Sequence, residues 1–262
     1  MTLVMGVLNV TPDSFYDGGR WAGPDEAVAH GLAMVAQGAD IVDVGGESTR
    51  PGAQPVPVRE ELRRVVGVTR ALAQCLGGRA RISIDTRKWP VAEAALEAGA
   101  TIINDISASL WPLAAASGAG WVAMHMRGEP ATMMSLARYD DVFAEVRDFL
   151  VARAGQAAEA GVEEIWVDPG FGFAKTTAHN LVLLARLPEL VAAVGWPVLV
   201  GISRKRFTGV LASGREDEPA PVQDRLEGSL AGAVWAMSCG VEVVRVHDVG
   251  PTVDAAKLVG AR

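Results

Sequence analysis

Short apolar runs recur along the chain, and nearly every one stops at a group that does not belong in a core. Leu3 to Leu8 stops at Asn9, Ile41-Val42-Asp43-Val44 at Gly45, Ile82-Ser83-Ile84 at Asp85, and Thr101-Ile102-Ile103 at Asn104 and Asp105. Trp121 to Met124 stops at His125, Ile165-Trp166-Val167 at Asp168, Val198-Leu199-Val200 at Gly201, and Val243 to Val246 at His247 and Asp248. Continuous apolar runs of this length read as strands of a parallel sheet covered on both faces, so the first polar residue after each run marks its carboxyl end. Between the runs lie segments of helical periodicity. They cover Asp25 to Gln37, Val58 to Ala73, Val91 to Ala98, Asp140 to Ala160, Thr177 to Val194, Gln223 to Cys239 and Thr252 to Val259, several of them stopped by a glycine such as Gly38, Gly99, Gly161 or Gly240.

Strand-then-helix alternation repeated eight times predicts an α/β fold, a (β/α)8 TIM barrel in one domain spanning 1–262, whose functional groups gather at the carboxyl ends of the strands. An open doubly wound sheet is the runner-up. It fits less well, because no GxGxxG or GxxxxGK[ST] follows any strand. The loops after the first and second strands and the charged stretch Gly214 to Pro221 are expected to be the most mobile segments.

Charge narrows the partners. The formal net charge is −7 and no run of Lys and Arg is long enough to suit nucleic acid or a membrane surface, so the local basic groups suit a small anionic ligand. The two cysteines, Cys75 and Cys239, stand in no metal-ligand spacing and read as buried apolar thiols of a reduced, cytoplasmic chain. Met1 to Val10 lacks a basic flank and a small-residue cleavage site, so it reads as a strand and not a signal peptide.

The chemistry lies at the predicted strand ends. Asp85, Asn104 and Asp168 end strands three, four and six, and two carboxylates with an amide can accept from and donate to a flat heterocycle bearing several N–H groups. Each taken alone could equally cap a turn or the following helix. Lys205, Arg245 and His247 add donors and positive charge from strands seven and eight, where barrels often hold phosphate, and Asn9, Thr49 and Arg50 would join them from strands one and two. His247 could also be a core histidine, but a nearby anion would favour its protonated form. Arg204 and Arg206 could be solvated face residues.

These residues stand in stretches that resemble the signatures of dihydropteroate synthase: Met5-Gly6-Val7-Leu8-Asn9-Val10-Thr11-Pro12-Asp13-Ser14-Phe15, Asp43 to Gly52, Asp168-Pro169-Gly170-Phe171-Gly172-Phe173-Ala174-Lys175 and Ser203-Arg204-Lys205. With Ile84-Asp85-Thr86, Asn104-Asp105-Ile106 and Arg245-Val246-His247-Asp248, the resemblance runs in order over almost the whole chain. It implies a transferase of folate biosynthesis that condenses 6-hydroxymethyl-7,8-dihydropterin pyrophosphate with p-aminobenzoate, with Mg2+ as cofactor. It further implies that Asp85, Asn104, Asp168 and Lys205 hold the pterin and that Arg245 lies against its ring. Asn9 would help bind Mg2+, and Asn9, Thr49, Arg50, Arg245 and His247 would surround the pyrophosphate. Phe15, Asp17, Pro51, Phe173 and the turn around Arg206 would form the p-aminobenzoate side, with Asp85, Asp17 and Lys205 assigned to catalysis. A pterin-binding methyltransferase domain and a non-catalytic pterin-binding paralogue are the alternatives. The first needs no pyrophosphate site, and the second would be expected to have lost loop or anion residues that are present here.

Departures from the resemblance touch its edges. The chain starts almost directly on strand one, where many relatives carry an N-terminal hairpin across the barrel bottom. Many relatives have Ser at the position of Arg206, and Thr176-Thr177-Ala178 differs from the commoner run after the lysine. The last two helical segments carry Leu226, Leu230, Val234, Trp235, Met237 and Leu258, more large apolar surface than one inward stripe requires. Members of the resembled family pair through late helices, so a homodimer is expected.

Overall fold

Alternate residues of a parallel strand point to opposite sides, and here that alternation sorts the apolar side chains into two separate cores. A computed structural model describes residues 1–11, 24–50 and 52–262 of the chain. Among the described residues, the strands are β1 Leu3–Asn9, β2 Ile41–Gly45, β3 Arg81–Asp85, β4 Ile102–Asp105, β5 Gly120–Met124, β6 Ile165–Asp168, β7 Leu199–Val200 and β8 Val243–Val246. They run parallel in the order β6-β5-β4-β3-β2-β1-β8-β7, and a parallel bridge between Val167 and Val198 joins the two ends of that order into a barrel.

The helices are α1 Pro24–Ala36, α2 Val58–Leu76, α3 Trp89–Glu97, α4 Trp111–Ser117, α5 Val142–Glu159, α6 Thr177–Ala185, α7 Leu187–Val194, α8 Arg206–Ser213, α9 Leu226–Ser238 and α10 Val249–Leu258. Outward-facing Val4, Leu8, Val42, Val44, Ile82 and Ile84 share one core with helix stripes such as Val65, Val68, Leu72 and Leu76 of α2. Inward-facing Met5, Ile41, Ile102, Val122, Trp166, Leu199 and Val243 form a second, separate core inside the barrel.

Strand register levels the interior into layers. Val7 pairs with Asp43 and Asp43 with Ser83, Asn9 with Gly45 and Gly45 with Asp85, and Asp85 with Asn104, so on β1, β2 and β4 the interior turns from apolar to polar toward the carboxyl end. At the amino-terminal end the Trp166 Nε1 donates to Glu242 Oε1 at 3.0 Å, and Arg81, over the Trp166 ring, pairs with both oxygens of Glu164 at 2.6 Å. That end of the barrel is therefore plugged by its own side chains.

Local chemistry explains where the elements differ from the sequence reading. The segment expected as one helix from Thr177 to Val194 is two, α6 and α7, because Pro188 at the start of α7 has no N–H to continue the earlier turns. Helices α4 and α8 also form; the second grows directly out of the basic Ser203 to Arg206 turn, and both end on a glycine in the left-handed region, Gly118 and Gly214. Cys75 is exposed and Cys239 half-buried, not buried as expected: near the end of α2 the inward stripe is taken by Leu72 and Leu76. Of the large apolar residues in the last two helical segments, Met237 is buried in the outer core, whereas Trp235 is 43% and Leu258 88% exposed. No single described helix is long and apolar enough to cross a membrane. The bent pair α6 and α7 would pass on length and composition, yet Leu183, Leu187, Leu190 and Val194 from it are buried in the outer core.

Candidate active site

One arginine organises the upper interior. Arg245, on β8, donates from Nε to Asp43 Oδ2 at 2.6 Å and from Nη2 to Asp85 Oδ2 at 2.7 Å, and Asn104 Nδ2 donates to the same Asp43 oxygen at 3.0 Å. Two buried carboxylates thus share a single guanidinium, which leaves an excess negative charge in a low-dielectric space. Burial pushes the Asp85 carboxyl up to about 7, with Asp43 and Glu61 adding to the rise and Arg245 and Lys205 opposing it. The second oxygens, Asp43 Oδ1 and Asp85 Oδ1, are buried without a hydrogen-bond partner. Unmatched buried acceptors are costly, and a pair of them inside a strand-end mouth can accept from a ligand carrying N–H groups.

Asp168 completes the acidic wall from β6. Its Oδ1 accepts the Gly170 N–H at 2.7 Å, while burial raises its pKa against the pull of that bond and of Lys205. The turn that follows is held from beneath by Lys175, only 2% exposed, whose Nζ donates to the carbonyls of Gly170 and Phe173 at 3.1 Å and lies 2.9 Å from His125 Nδ1. Burial lowers the Lys175 ammonium to about 7 and His125 to about 2, so His125 is neutral and presents Nδ1 as an acceptor. Gly170 is required here: at φ +67° a Cβ would stand 2.1 Å from the His125 carbonyl oxygen.

Cations crowd the opposite side of the mouth. Lys205 Nζ sits 4.1 Å from the Phe173 ring centroid, and burial lowers it to about 8, with Arg245 pushing the same way and Asp168 and Asp85 resisting. His247 Nδ1 lies 3.0 Å from Ser203 Oγ, and its backbone N–H donates to the same hydroxyl. Burial lowers His247 to about 3, helped by Arg245, Arg204, Lys205 and Arg50, so as built it is a neutral donor or acceptor and not the extra charge read from sequence. Arg204 is largely committed to Asp248, with Nε and Nη2 at 3.0 and 2.7 Å from its two oxygens. The cations around His247 make this side of the mouth one that an anion would relieve. Asn9 and Asp85 flank Gly45: a Cβ placed there would lie 3.5 Å from Asn9 Oδ1 and 3.6 Å from Asp85 Cβ.

The strand ends therefore bring Asn9, Asp85, Asn104, Asp168, Lys205, Arg245 and His247 to one mouth; Thr49 and Arg50 follow β2 in the chain, and the Arg50 charge acts on Lys205 and His247. Phe173 lies under Lys205. Arg206 instead begins α8, and its guanidinium donates to the Glu216 carbonyl at the outer edge of the Gly214 to Pro221 stretch. Phe15, Asp17 and Pro51 lie outside the described residues. Sequence reasoning passed over Asp43 as a site residue, though an acid interrupting the apolar β2 run at inward parity was a visible signal. It also passed over the Lys175–His125 pair, for which nothing local in the sequence distinguishes a buried lysine from a solvated one.

Known proteins similar to this chain in sequence and in shape identify its family. A family described as pterin binding enzyme matches residues 5–247. The chain is 50% identical to the dihydropteroate synthase of Mycobacterium leprae, over 98% of its own length and 92% of the relative's. It is 47% identical to the Escherichia coli enzyme of the same name, over 98% and 90%. The chain belongs to the pterin-binding enzymes, among the dihydropteroate synthases. Solved members overlay closely. That of Yersinia pestis, in complex with a sulfonamide drug, covers 99% of this chain and 94% of its own at 42% identity and TM-score 0.91. Thermus thermophilus structures in complex with 4-aminobenzoate and with 6HMPPP, at 47% and 42% identity, reach TM-scores of 0.86 and 0.83, covering 99% of this chain and 94% and 93% of theirs.

Proposed function

We propose that this barrel condenses 6-hydroxymethyl-7,8-dihydropterin pyrophosphate with p-aminobenzoate, releasing pyrophosphate and forming 7,8-dihydropteroate for folate biosynthesis. The observation that carries the reading is the division of one mouth into a buried acidic socket with two unpartnered oxygens and a cation-rich rim around His247. Asp43, Asp85, Asn104 and Asp168 meet the N–H groups of the pterin, and Lys205 and Arg245 supply donors and lie against its ring. Asn9, Thr49, Arg50, Arg245 and His247 meet the pyrophosphate. The carbon–oxygen bond to the pyrophosphate breaks as the arylamine nitrogen attacks the pterin methylene carbon, and the amine then loses a proton. The carboxylates favour positive charge building on the pterin, while the cations favour negative charge building on the leaving group. His247 gains its proton only when that anion arrives.

Mg2+ fits this donor set in a limited way. No group of three or more His, Cys, Asp or Glu suited to a metal occurs among the described residues, but Mg2+ commonly takes one or two protein oxygens and completes its shell from substrate phosphate and water. Asn9 Oδ1 would supply the protein oxygen, and Mg2+ bound there would neutralise the leaving pyrophosphate. The cation-rich rim favours this reaction over pterin-dependent methyl transfer, which has no anionic leaving group of this kind.

The reading extends to assembly and location. Leu181 and Val182 on α6, Leu211 on α8 and Trp235 on α9 expose apolar surface on neighbouring helices away from the mouth. A second copy, related by a two-fold axis, covers this patch and leaves both mouths open. Two unpaired cysteines, one exposed, suit the reducing cytoplasm. The direct test is pyrophosphate release measured with each substrate omitted in turn. Release that requires both pterin pyrophosphate and p-aminobenzoate supports the reading, and release without the arylamine counts against it.

A further inference from the structure

The loop between β2 and α2 is closed at its neck by a buried ionic cluster that takes no part in the site described above. Glu47, 7% exposed, accepts the Val56 N–H at 2.6 Å, and Lys88 Nζ donates to the Val56 carbonyl at 2.8 Å and to Glu47 Oε2 at 2.6 Å. Both backbone groups of Val56 are therefore pinned to the Glu47–Lys88 pair, which holds Glu47 and Val56 together.

The cluster is anchored below and to one side. Lys88 also pairs with Glu61 on α2, 1% exposed, whose other oxygen accepts the Thr86 hydroxyl at 2.6 Å. Arg87 reaches Glu47 Oε1 at 3.2 Å and Glu129 at 3.1 Å, on the loop after β5, and the Gly52 N–H donates to the Pro130 carbonyl at 3.1 Å. Burial alone would raise the Glu47 carboxyl, yet the Lys88, Val56 and Arg87 donors hold it below its ordinary value. Gly46 lets the loop lie this close to α2, since a Cβ there would meet Val65 Cγ1 at 2.7 Å and Glu61 Cγ at 2.9 Å.

Placement gives the cluster its meaning. Thr49 and Arg50 stand between Glu47 and Val56 in the chain, and Thr86, Arg87 and Lys88 follow directly on Asp85, so one short segment carries both a pterin carboxylate and the clamp of the neighbouring loop. Two buried carboxylates held by an ammonium and a guanidinium are an expensive way to close a loop unless its position matters.

We propose that Glu47, Lys88 and Arg87 are positioning residues that fix Thr49 and Arg50 toward the pyrophosphate, making the neck clamp a determinant of diphosphate affinity separate from pterin affinity. The proposal rests on the assignment of Thr49 and Arg50 to the pyrophosphate. Glu47→Gln tests it, because the amide keeps an acceptor for Val56 while removing the charge that Lys88 and Arg87 share. Binding of inorganic pyrophosphate with Mg2+, and of 6-hydroxymethyl-7,8-dihydropterin lacking the pyrophosphate, is measured by calorimetry beside Arg50→Gln. Pyrophosphate affinity is expected to fall about 10-fold in Glu47→Gln, the worth of one charge-assisted hydrogen bond, with the free pterin changed less than about 2-fold. Arg87→Lys, which keeps a charge but cannot fork between Glu47 and Glu129, is expected to lose about 3-fold in pyrophosphate alone and serves if Glu47→Gln does not fold. Unchanged pyrophosphate affinity in both clamp variants, with Arg50→Gln impaired, overturns the clamp. Equal weakening of both ligands overturns it too, as a general structural loss. An unimpaired Arg50→Gln overturns the assignment of the loop to the anion, and the clamp's role falls with it.

Discussion

In the lower half of the barrel interior Met5, Ile41, Ile102, Val122, Trp166, Leu199 and Val243 fill the space with apolar side chains, and the indole N–H of Trp166 finds Glu242. In the upper half the strands carry Asp43, Asp85, Asn104 and Asp168, buried almost as deeply, around a half-buried Arg245, with two carboxylate oxygens left without partners. The lower half gains free energy by removing area from water, and the upper half spends part of it to hold charges in a fixed geometry. Stability and function are thus stacked along one axis, which is why the chemistry can be built at the strand ends without loosening the fold.

Removing Arg245 should break the contrast most severely. Arg245→Gln leaves Asp43 and Asp85 buried together without a cation, which is expected to cost about 3–5 kcal/mol of stability and to abolish turnover. Trp166→Phe in the lower half should cost only about 1–2 kcal/mol, from lost volume and the lost bond to Glu242, with the kinetics of the folded enzyme unchanged. Denaturant midpoints and steady-state rates on the two variants separate the halves. Lost turnover in Trp166→Phe at full folding, or normal turnover in Arg245→Gln, would show that the division is not real.

Asp85→Asn and Asp168→Asn sharpen the upper half alone. An amide offers one acceptor and one misdirected donor where a carboxylate accepts twice, a buried mismatch of about 1–3 kcal/mol against a pterin edge. Turnover should fall by roughly 10- to 100-fold in each, read as kcat/KM for the pterin substrate. Near-normal pterin binding in both would remove them from the pocket.

How far the sequence foretold these halves depends on what kind of signal each residue leaves. Asp85, Asn104 and Asp168 were legible because each stops an apolar run, and strand ends in a barrel face one mouth. Asp43 was harder, since it sits inside β2 with Val44 and Gly45 after it, and only strand parity shows that it points inward with Asp85. Lys175 and the Glu47–Lys88 clamp were not readable as buried, because charged residues after a strand ordinarily reach solvent and only the closure of loops from distant parts of the chain takes the water away. Pro188 split a helix that apolar periodicity alone had joined, although the proline itself was in view.

The last expected effect is the most specific, because it concerns the sign of a pH dependence. Asp85 in the folded chain is raised from 3.8 to about 7, first by burial, so between those values the folded state carries a proton that the unfolded chain has released. Its contribution to stability therefore grows as pH falls through that window and is lost as pH rises through about 7. His125 and His247, lowered from 6.5 by burial, act in the opposite sense, since the unfolded chain takes up their protons first. Asp85→Asn removes the acid's contribution and leaves that of the histidines. Relative to the parent, the variant should lose stability on acidification with an added slope of up to about 1.4 kcal/mol per pH unit. Chemical denaturation of both proteins at several pH values from about 7 down to about 4 reads the difference directly. Parallel curves would mean that Asp85 is ionised beside Arg245 throughout.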